Sequence, residues 1–470
     1  MELKSNYKME LKLNYKRTCL IGFAFFGILL LWQVYDTWCP LLLTNALTEK
    51  FGYTDELEVQ WIVGIIMALD NIAALVLLPI FGRLSDKTKT PIGKRMPYIL
   101  IGTLIVAIAF PFIPIFFTKG LVGGMIATMG VVLIAMMMYR NPAVALMPDI
   151  TPKPLRAKAN GIINIMGYFG GAFAAVLGIV WSLSKYLDDK EHVSPWVAIL
   201  PFVFASILMI ISAIVLFCTV KENKLAEELK DEMAEGEKEA EIVDAVEEDK
   251  PLSKANKQML YAILGAEFLW FMAENAVGTF LSNYVYYYLW GPFSLGIILT
   301  VVGGVASVAG FAIAGFIADK IGRKWTITIG LIITLVGYIL FCFVRRDASI
   351  TSESERLTKL PALIYVVYVI KGFGMSLVHN CSFPMVVELA TSKTVGKFTG
   401  HYYTASMAAQ TATPILLGFI LMKTGKWSVL PFYATVLIAG SAVLFGLCVK
   451  NVRANKVANA KGLEALGADD

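Results

Sequence analysis

Charge is scarce in this sequence. Asp, Glu, Lys and Arg make up 16% of its 470 residues, against about 25% in soluble domains. Apolar residues fill the gap, at 57% against about 45–50%. A soluble chain with a mean hydropathy of +0.66 would expose large hydrophobic patches and aggregate. The same reasoning removes nucleic acid as the meaning of the net charge of +5. Cysteine is also sparse. The six cysteines (Cys19, Cys39, Cys218, Cys342, Cys381, Cys448) show no C-x-x-C and no metal-ligand spacing, which argues against a disulfide scaffold or a zinc site. No nucleophile–base pair, metal cluster or nucleotide loop is recognisable, so neither an enzyme nor a cofactor is expected.

What the sequence has in abundance is long apolar runs. About 20 apolar residues suffice to cross a bilayer core of about 30 Å as a helix. Twelve such stretches lie near 18–46, 58–83, 97–118, 121–147, 159–183, 196–220, 258–289, 294–317, 325–344, 360–387, 398–422 and 427–449. They are continuously apolar rather than alternating, which excludes a closed barrel. The expected fold class is therefore an all-α integral membrane protein. The run from Cys19 follows a basic stretch but lacks a small-residue cleavage site, and it reads as a retained first helix.

Basic residues set the orientation. The loops and tails on the side of the N-terminus hold 29 Lys and Arg and the opposite loops hold 10, with Arg140 and Lys371 inside spans. The positive-inside rule then puts both ends in the cytoplasm, with a plasma-membrane location expected. The loop at 345–359, with four basic residues, is the exception. The one long polar segment, Lys221–Lys257, carries 13 acidic and 7 basic residues and reads as a solvated cytoplasmic linker, helical in part. It divides the chain into a six-span unit at 1–220, the linker at 221–257, a second six-span unit at 258–450 and a tail at 451–470.

The two units repeat each other. Gly27, Trp32, Asp36, Thr44 and Asn45 in span one match Gly265, Trp270, Glu274, Ser282 and Asn283 in span seven, each displaced by 238. Arg140, Asn141 and Asp149 match His379, Asn380 and Glu388 at an offset of 239. Such duplication is characteristic of secondary transporters that bind substrate near the midplane between repeats.

After span two the chain reads Gly82-Arg-Leu-Ser-Asp86-Lys87, then Gly93-Lys94-Arg95. After span eight it reads Gly315-Phe-Ile-Ala-Asp319-Lys320-Ile-Gly322-Arg323-Lys324. The second run resembles the cytoplasmic loop motif of the major facilitator superfamily. The first, with four extra residues and MPYILIG after it, resembles the glycoside–pentoside–hexuronide:cation symporters and their sucrose-transporter-like relatives, as does YRNPAVALMPDITPKPLRAKANG at 139–161. The resemblance implies two pseudo-symmetric six-helix bundles, a monomer in the bilayer, and helices one, four, seven and ten lining a central cavity. The loop chemistry is consistent with a gate: glycines let helices approach, and carboxylates accept charge-assisted hydrogen bonds from neighbouring basic groups. Gly82, Asp86, Gly93, Lys94, Arg95, Asp149, Gly315, Asp319, Gly322, Arg323 and Glu388 are the expected gating residues.

Six charged residues lie deep in spans: Asp36, Asp70, Arg140, Glu267, Glu274 and Lys371. Each would cost at least ~2.5–3.5 kcal/mol at the bilayer centre, so each is expected to face a cavity or a partner. Four acids against two bases leave carboxylates free to take up protons, and Asp36, Asp70, Glu267 and Glu274 are the expected proton carriers. Gln33, Asp36, Arg140, Asn141, Asn164, Trp270, Glu274, Asn275, Asn380 and Tyr403 are the expected substrate contacts, with Tyr402 and Gln410 as further cavity residues. Amides, a guanidinium, carboxylates and aromatic rings together suit a sugar. His379 and His401 read as satisfied interior histidines, and Lys371 stays unassigned. Sodium-coupled members of the resembled family carry two acids nearer the gate glycine. Here Asp70 stands twelve residues before Gly82, with Ala74 and Leu78 between them, so protons are the expected coupling ion. The expected function is proton-coupled symport of a disaccharide or other glycoside, and proton-coupled export of a drug or metabolite is the competing reading.

Overall fold

Lipid offers the backbone no hydrogen-bond partners, so an apolar run long enough to span must satisfy its own amides as a helix. The computed structural model describes residues 11–245, 254–346, 361–387, 389 and 395–450. Among these it has twelve helices long and apolar enough to cross a membrane. They are α1 (Tyr15–Phe51), α2 (Glu56–Lys87), α3 (Met96–Thr118), α4 (Val122–Asp149), α5 (Lys158–Asp188), α6 (Trp196–Thr219), α7 (Asn256–Tyr288), α8 (Phe293–Ile321), α9 (Arg323–Phe341), α10 (Ala362–Val387), α11 (Lys397–Thr424) and α12 (Val429–Cys448). The twelve expected spans each fall on one of them. At about 1.5 Å per residue the 37 residues of α1 reach about 55 Å, well beyond the hydrocarbon core. Asn14 caps its start by accepting from the Arg17 amide at 3.0 Å.

Two hydrophobic cores form, one per repeat. In the first, α1 packs on α5 and α6, and α3 on α4 and α6. In the second, α7 packs on α11 and α12, and α9 on α10 and α12, so the pairing is the same. The bundles meet along α2–α11, α5–α8 and α1–α7. Each core borrows residues from the other repeat: Tyr286, Phe293 and Ile297 join the first and Leu57 the second. All four lie at the helix ends away from the basic loops, so the cores interlock at that face.

Small residues allow this approach, as is usual between helices in lipid, where packing rather than water expulsion drives association. A Cβ on Gly64 of α2 would strike the Pro414 carbonyl of α11, and one on Gly418 of α11 would strike the Gln60 carbonyl. Neither obstacle is a flexible side-chain end. Gly64→Ala is therefore expected to lower stability by roughly 1–3 kcal/mol through overpacking. Thermal unfolding of the purified variant checks this; an unchanged melting temperature would mean that the bundles do not press together there.

The acidic segment after α6 forms two helices, Glu222–Glu228 and Lys230–Ala245. Its first residue departs from the solvated expectation. Glu222 is 4% exposed, and its carboxylate accepts from the backbone amides of Lys94, Arg95 and Met96 at 2.9–3.1 Å. It caps the N-terminus of α3, where a helix presents unpaired donors and partial positive charge. Gly93 makes room: its φ is 121°, and a Cβ there would collide with the Glu222 carboxylate. The Asn223 side chain donates to the carbonyls of Thr90 and Pro91 at 2.9 and 3.0 Å. The acidic segment thus begins pinned to the loop between α2 and α3.

Candidate functional site

A cavity of about 310 Å³ lies between the bundles, within the roughly 300–1,000 Å³ range of small-molecule sites. Its polar lining comes from Gln33 and Asp36 on α1, Asp70 and Asn71 on α2, Arg140 on α4 and Gln410 on α11, with Trp32 and Tyr168 supplying rings. Three of the six deep charges therefore share one space. Asp36 is open to it, while Asp70 and Arg140 are half-buried. Asp70 accepts from the backbone amide and side-chain amide of Asn71 at 2.6 and 2.8 Å. The charges of Asp70 and Arg140 both act on Asp36, yet the side chains of Asp36 and Arg140 make no hydrogen bond or ion pair among the described residues. A guanidinium with five donors, facing a polar cavity and held by no carboxylate at contact, can donate to acceptor oxygens placed there.

The other expected substrate residues lie outside this lining. Asn141 reaches across to α2 and donates to the Leu78 carbonyl at 2.6 Å, in the space that Gly82 leaves by having no side chain. Trp270 is fully buried in the second core. Asn164 and Asn380 are buried, and the Tyr403 ring lies against Phe383 and Tyr402. Asn275 and Glu267 are likewise absent from the lining, Glu267 being 0% exposed. Glu274 forms a separate cluster, in which the imidazole Nε2 of His379 meets its Oε2 at 2.7 Å. Lys371 acts on the same carboxylate.

Among the described residues, these hydrogen bonds join the bundles at the face away from the basic loops. Asn283 donates to Thr44 Oγ1 (2.8 Å) and Gln60 Oε1 (3.1 Å), and Ser282 donates to the Thr37 carbonyl (2.9 Å). Tyr286, in a π-turn at the end of α7, donates to Asp188 at 2.7 Å. The Phe293 amide donates to Ser184 (3.3 Å) and the Trp427 indole to Glu56 (2.8 Å). Thr44 and Ser282, and likewise Asn45 and Asn283, are repeat mates. Of the duplicated Thr/Ser-Asn step, Thr44, Ser282 and Asn283 are therefore part of a seal, while Asn45 accepts from Lys190 within the first bundle. The cavity lies on the basic-loop side of it.

At the basic-loop face the first loop motif forms a charge network within one bundle. Arg95 is 5% exposed; it bonds Asp149 at 2.8 Å and also reaches Asp86 and the Ser85 hydroxyl. Lys94 pairs with Asp149 at 3.1 Å. In the second repeat Gly322, with φ of 87°, separates α8 from α9, Arg323 opens α9, and Asp319 is exposed four residues after Gly315. Glu388 lies outside the described residues.

Residues 20–424 match the family model described as MFS/sugar transport protein. The chain belongs to that family. It is a major facilitator transporter, and the proteins it resembles are transporters rather than enzymes. The tetracycline resistance protein, class H, of Pasteurella multocida is 24% identical over 292 residues, a match spanning 60% of this chain and 63% of that protein. The POT family transporter PepTSo superposes with a TM-score of 0.63 at 14% identity, over 93% of this chain and 98% of its own. The nucleoside transporter NupG gives 0.59 at 12% identity, over 93% and 100%. A bacterial homologue of the human lysosomal transporter Spinster, in an inward-facing and occupied conformation, gives 0.61 at 14%, over 93% and 97%. At these identities the structural likenesses establish the fold.

Proposed function

We propose that the chain is a proton-coupled sugar symporter of the glycoside–pentoside–hexuronide and sucrose-transporter-like kind, taking up a disaccharide or other glycoside by alternating access. The observation that carries this reading is Arg140, its donors uncommitted, in a cavity shared with Asp36, Asp70, Gln33, Asn71, Gln410 and Trp32. Planar amide and guanidinium groups suit vicinal hydroxyls, and an indole face suits the C–H face of a sugar ring. Two carboxylates against one guanidinium give the fully ionised set a net charge of −1. One proton neutralises it, and low dielectric favours the neutral set. Transport would require breaking the seal at Thr44, Gln60 and Asn283 as the bundles rock, while the basic-loop face closes. The monomeric state, the plasma-membrane location and the cytoplasmic position of both ends belong to the same proposal.

Proton-coupled export of a drug or metabolite is the second reading, favoured by the likeness to the tetracycline resistance protein. Uptake of labelled sugars by cells expressing the chain separates the two. Accumulation supports symport; drug resistance without sugar uptake supports export.

The Arg95–Asp86–Asp149 network lies far from the cavity, and in this reading it governs closure rather than binding. Asp86→Asn is expected to slow turnover several-fold while leaving substrate affinity within about twofold, the signature of an interaction outside the bound complex. Initial-rate uptake against concentration checks this. Unchanged turnover would make these residues ordinary interfacial anchors.

A further inference from the structure

The duplication places an acid on the first helix and a base on the fourth helix of each bundle. In the first bundle they are Asp36 and Arg140, in the second Glu274 and His379. The first pair faces the cavity unbonded, whereas the second is joined by the 2.7 Å Nε2–Oε2 contact. The base also differs in kind. A guanidinium stays charged at any physiological pH, while imidazole is the side chain whose ordinary titration falls near neutrality. The second bundle thus carries a titratable base at the position where the first carries a fixed charge.

We infer that the His379–Glu274 pair is a second proton-binding site of the transporter, with His379 holding the proton. This rests on the proton-coupled reading above and adds to it a residue and a counter-charge. The pair is not fully enclosed by protein, the imidazole side chain being 14% exposed and the carboxylate 23%. In both charge states Nε2–H donates to Glu274 Oε2, so the contact persists while its charge changes. Proton uptake turns imidazole into imidazolium and keeps this contact. Lys371 makes release affordable: with His379 neutral, Lys371 and Glu274 sum to zero, and with His379 charged the cluster carries +1.

The helices packed around the pair carry the following titratable and charged groups. On α7 there is Glu267, two turns from Glu274. On α10 there is Tyr368, whose ring lies 5.6 Å from the Lys371 ammonium. From α9 comes Tyr338, on which the Glu274 charge acts, and α1 and α12, which pack on α7, carry Tyr35, Asp36 and Tyr433. From α11 come Tyr402, bonded to Ser382 at 2.9 Å, Tyr403, and His401 at its exposed start. On α8 the first charges are Asp319 and Lys320, at its basic-loop end.

The test compares His379→Gln, which keeps a donor toward Glu274 without charge, and His379→Arg, which fixes the charge as in the first repeat. Sugar uptake into proteoliposomes is measured from about pH 5.5 to about pH 8, the window over which imidazole titrates. In parallel, thermal unfolding of wild type, His379→Gln, Glu274→Gln and the double variant gives the coupling within the pair at each pH. The inference expects uptake profiles flattened in both His379 variants, toward the alkaline limit for Gln and the acid limit for Arg. It expects a coupling strong at acid pH that fades as pH rises. Wild-type uptake profiles in both variants, or a coupling independent of pH, overturn it and make the pair a static interhelical bond. If wild-type uptake ignores an imposed pH gradient while the coupling still varies with pH, the proton-symport reading fails. In that case the titrating pair stands as a binding site without a transport role.

Discussion

Arg140→Ala is expected to abolish sugar binding while leaving the fold intact. The guanidinium makes no hydrogen bond or ion pair among the described residues, so its removal breaks no contact of the protein with itself. The ligand would lose at least one bidentate, charge-assisted pair of hydrogen bonds. At about 1.5–3 kcal/mol for each such bond, affinity should fall by at least a hundredfold. Binding measured by calorimetry, with thermal unfolding alongside, separates the outcomes. A joint loss of binding and stability would mean that Arg140 holds the bundle together rather than the substrate.

The second large effect concerns the acids in the cavity. Asp36→Asn and Asp70→Asn mimic the protonated carboxyl, so each should still bind sugar and exchange it across a membrane. Whichever acid carries the proton should lose uphill accumulation altogether when neutralised, because proton binding then no longer differs between the two sides. Asp36 is the better carrier on geometry: it is open to the cavity and makes no hydrogen bond, whereas Asp70 is held by Asn71 on its own helix. Counterflow and gradient-driven uptake, measured separately, resolve binding from coupling. If both variants still concentrate sugar, neither aspartate is the required carrier and the role passes to the Glu274–His379 cluster.

The helices were legible because lipid leaves a long apolar run only one way to satisfy its backbone. The repeat was legible because Asp36, Thr44 and Asn45 recur as Glu274, Ser282 and Asn283 in register. Charge and spacing marked Asp86, Arg95 and Asp149, and the fold brings those three together. What the sequence left open was the direction of each polar side chain. Asp36 and Glu274 occupy the same register, yet one opens into the cavity and the other is tied to His379. A helix apolar nearly all round gives no sign of which face meets which neighbour. Asn141 beside Arg140 looked like a second cavity residue. It turns instead to the Leu78 carbonyl, because Gly82 leaves a gap on the adjoining helix. Glu222 was hidden in a run of acids, where nothing distinguishes a buried helix cap from its solvated neighbours. The seal at Thr44, Gln60 and Asn283 depends on three helices from two bundles, and spacing along one chain does not encode that meeting.

Uptake by purified protein in proteoliposomes, with a panel of labelled sugars and an imposed pH gradient, tests the central claim most directly. With the acidic side matching the exterior, at least one disaccharide or glycoside should accumulate above its external concentration. Collapsing the gradient should end accumulation, and sodium should be dispensable. Accumulation that needs sodium but no pH gradient, or no sugar uptake together with proton-driven drug movement, would contradict it.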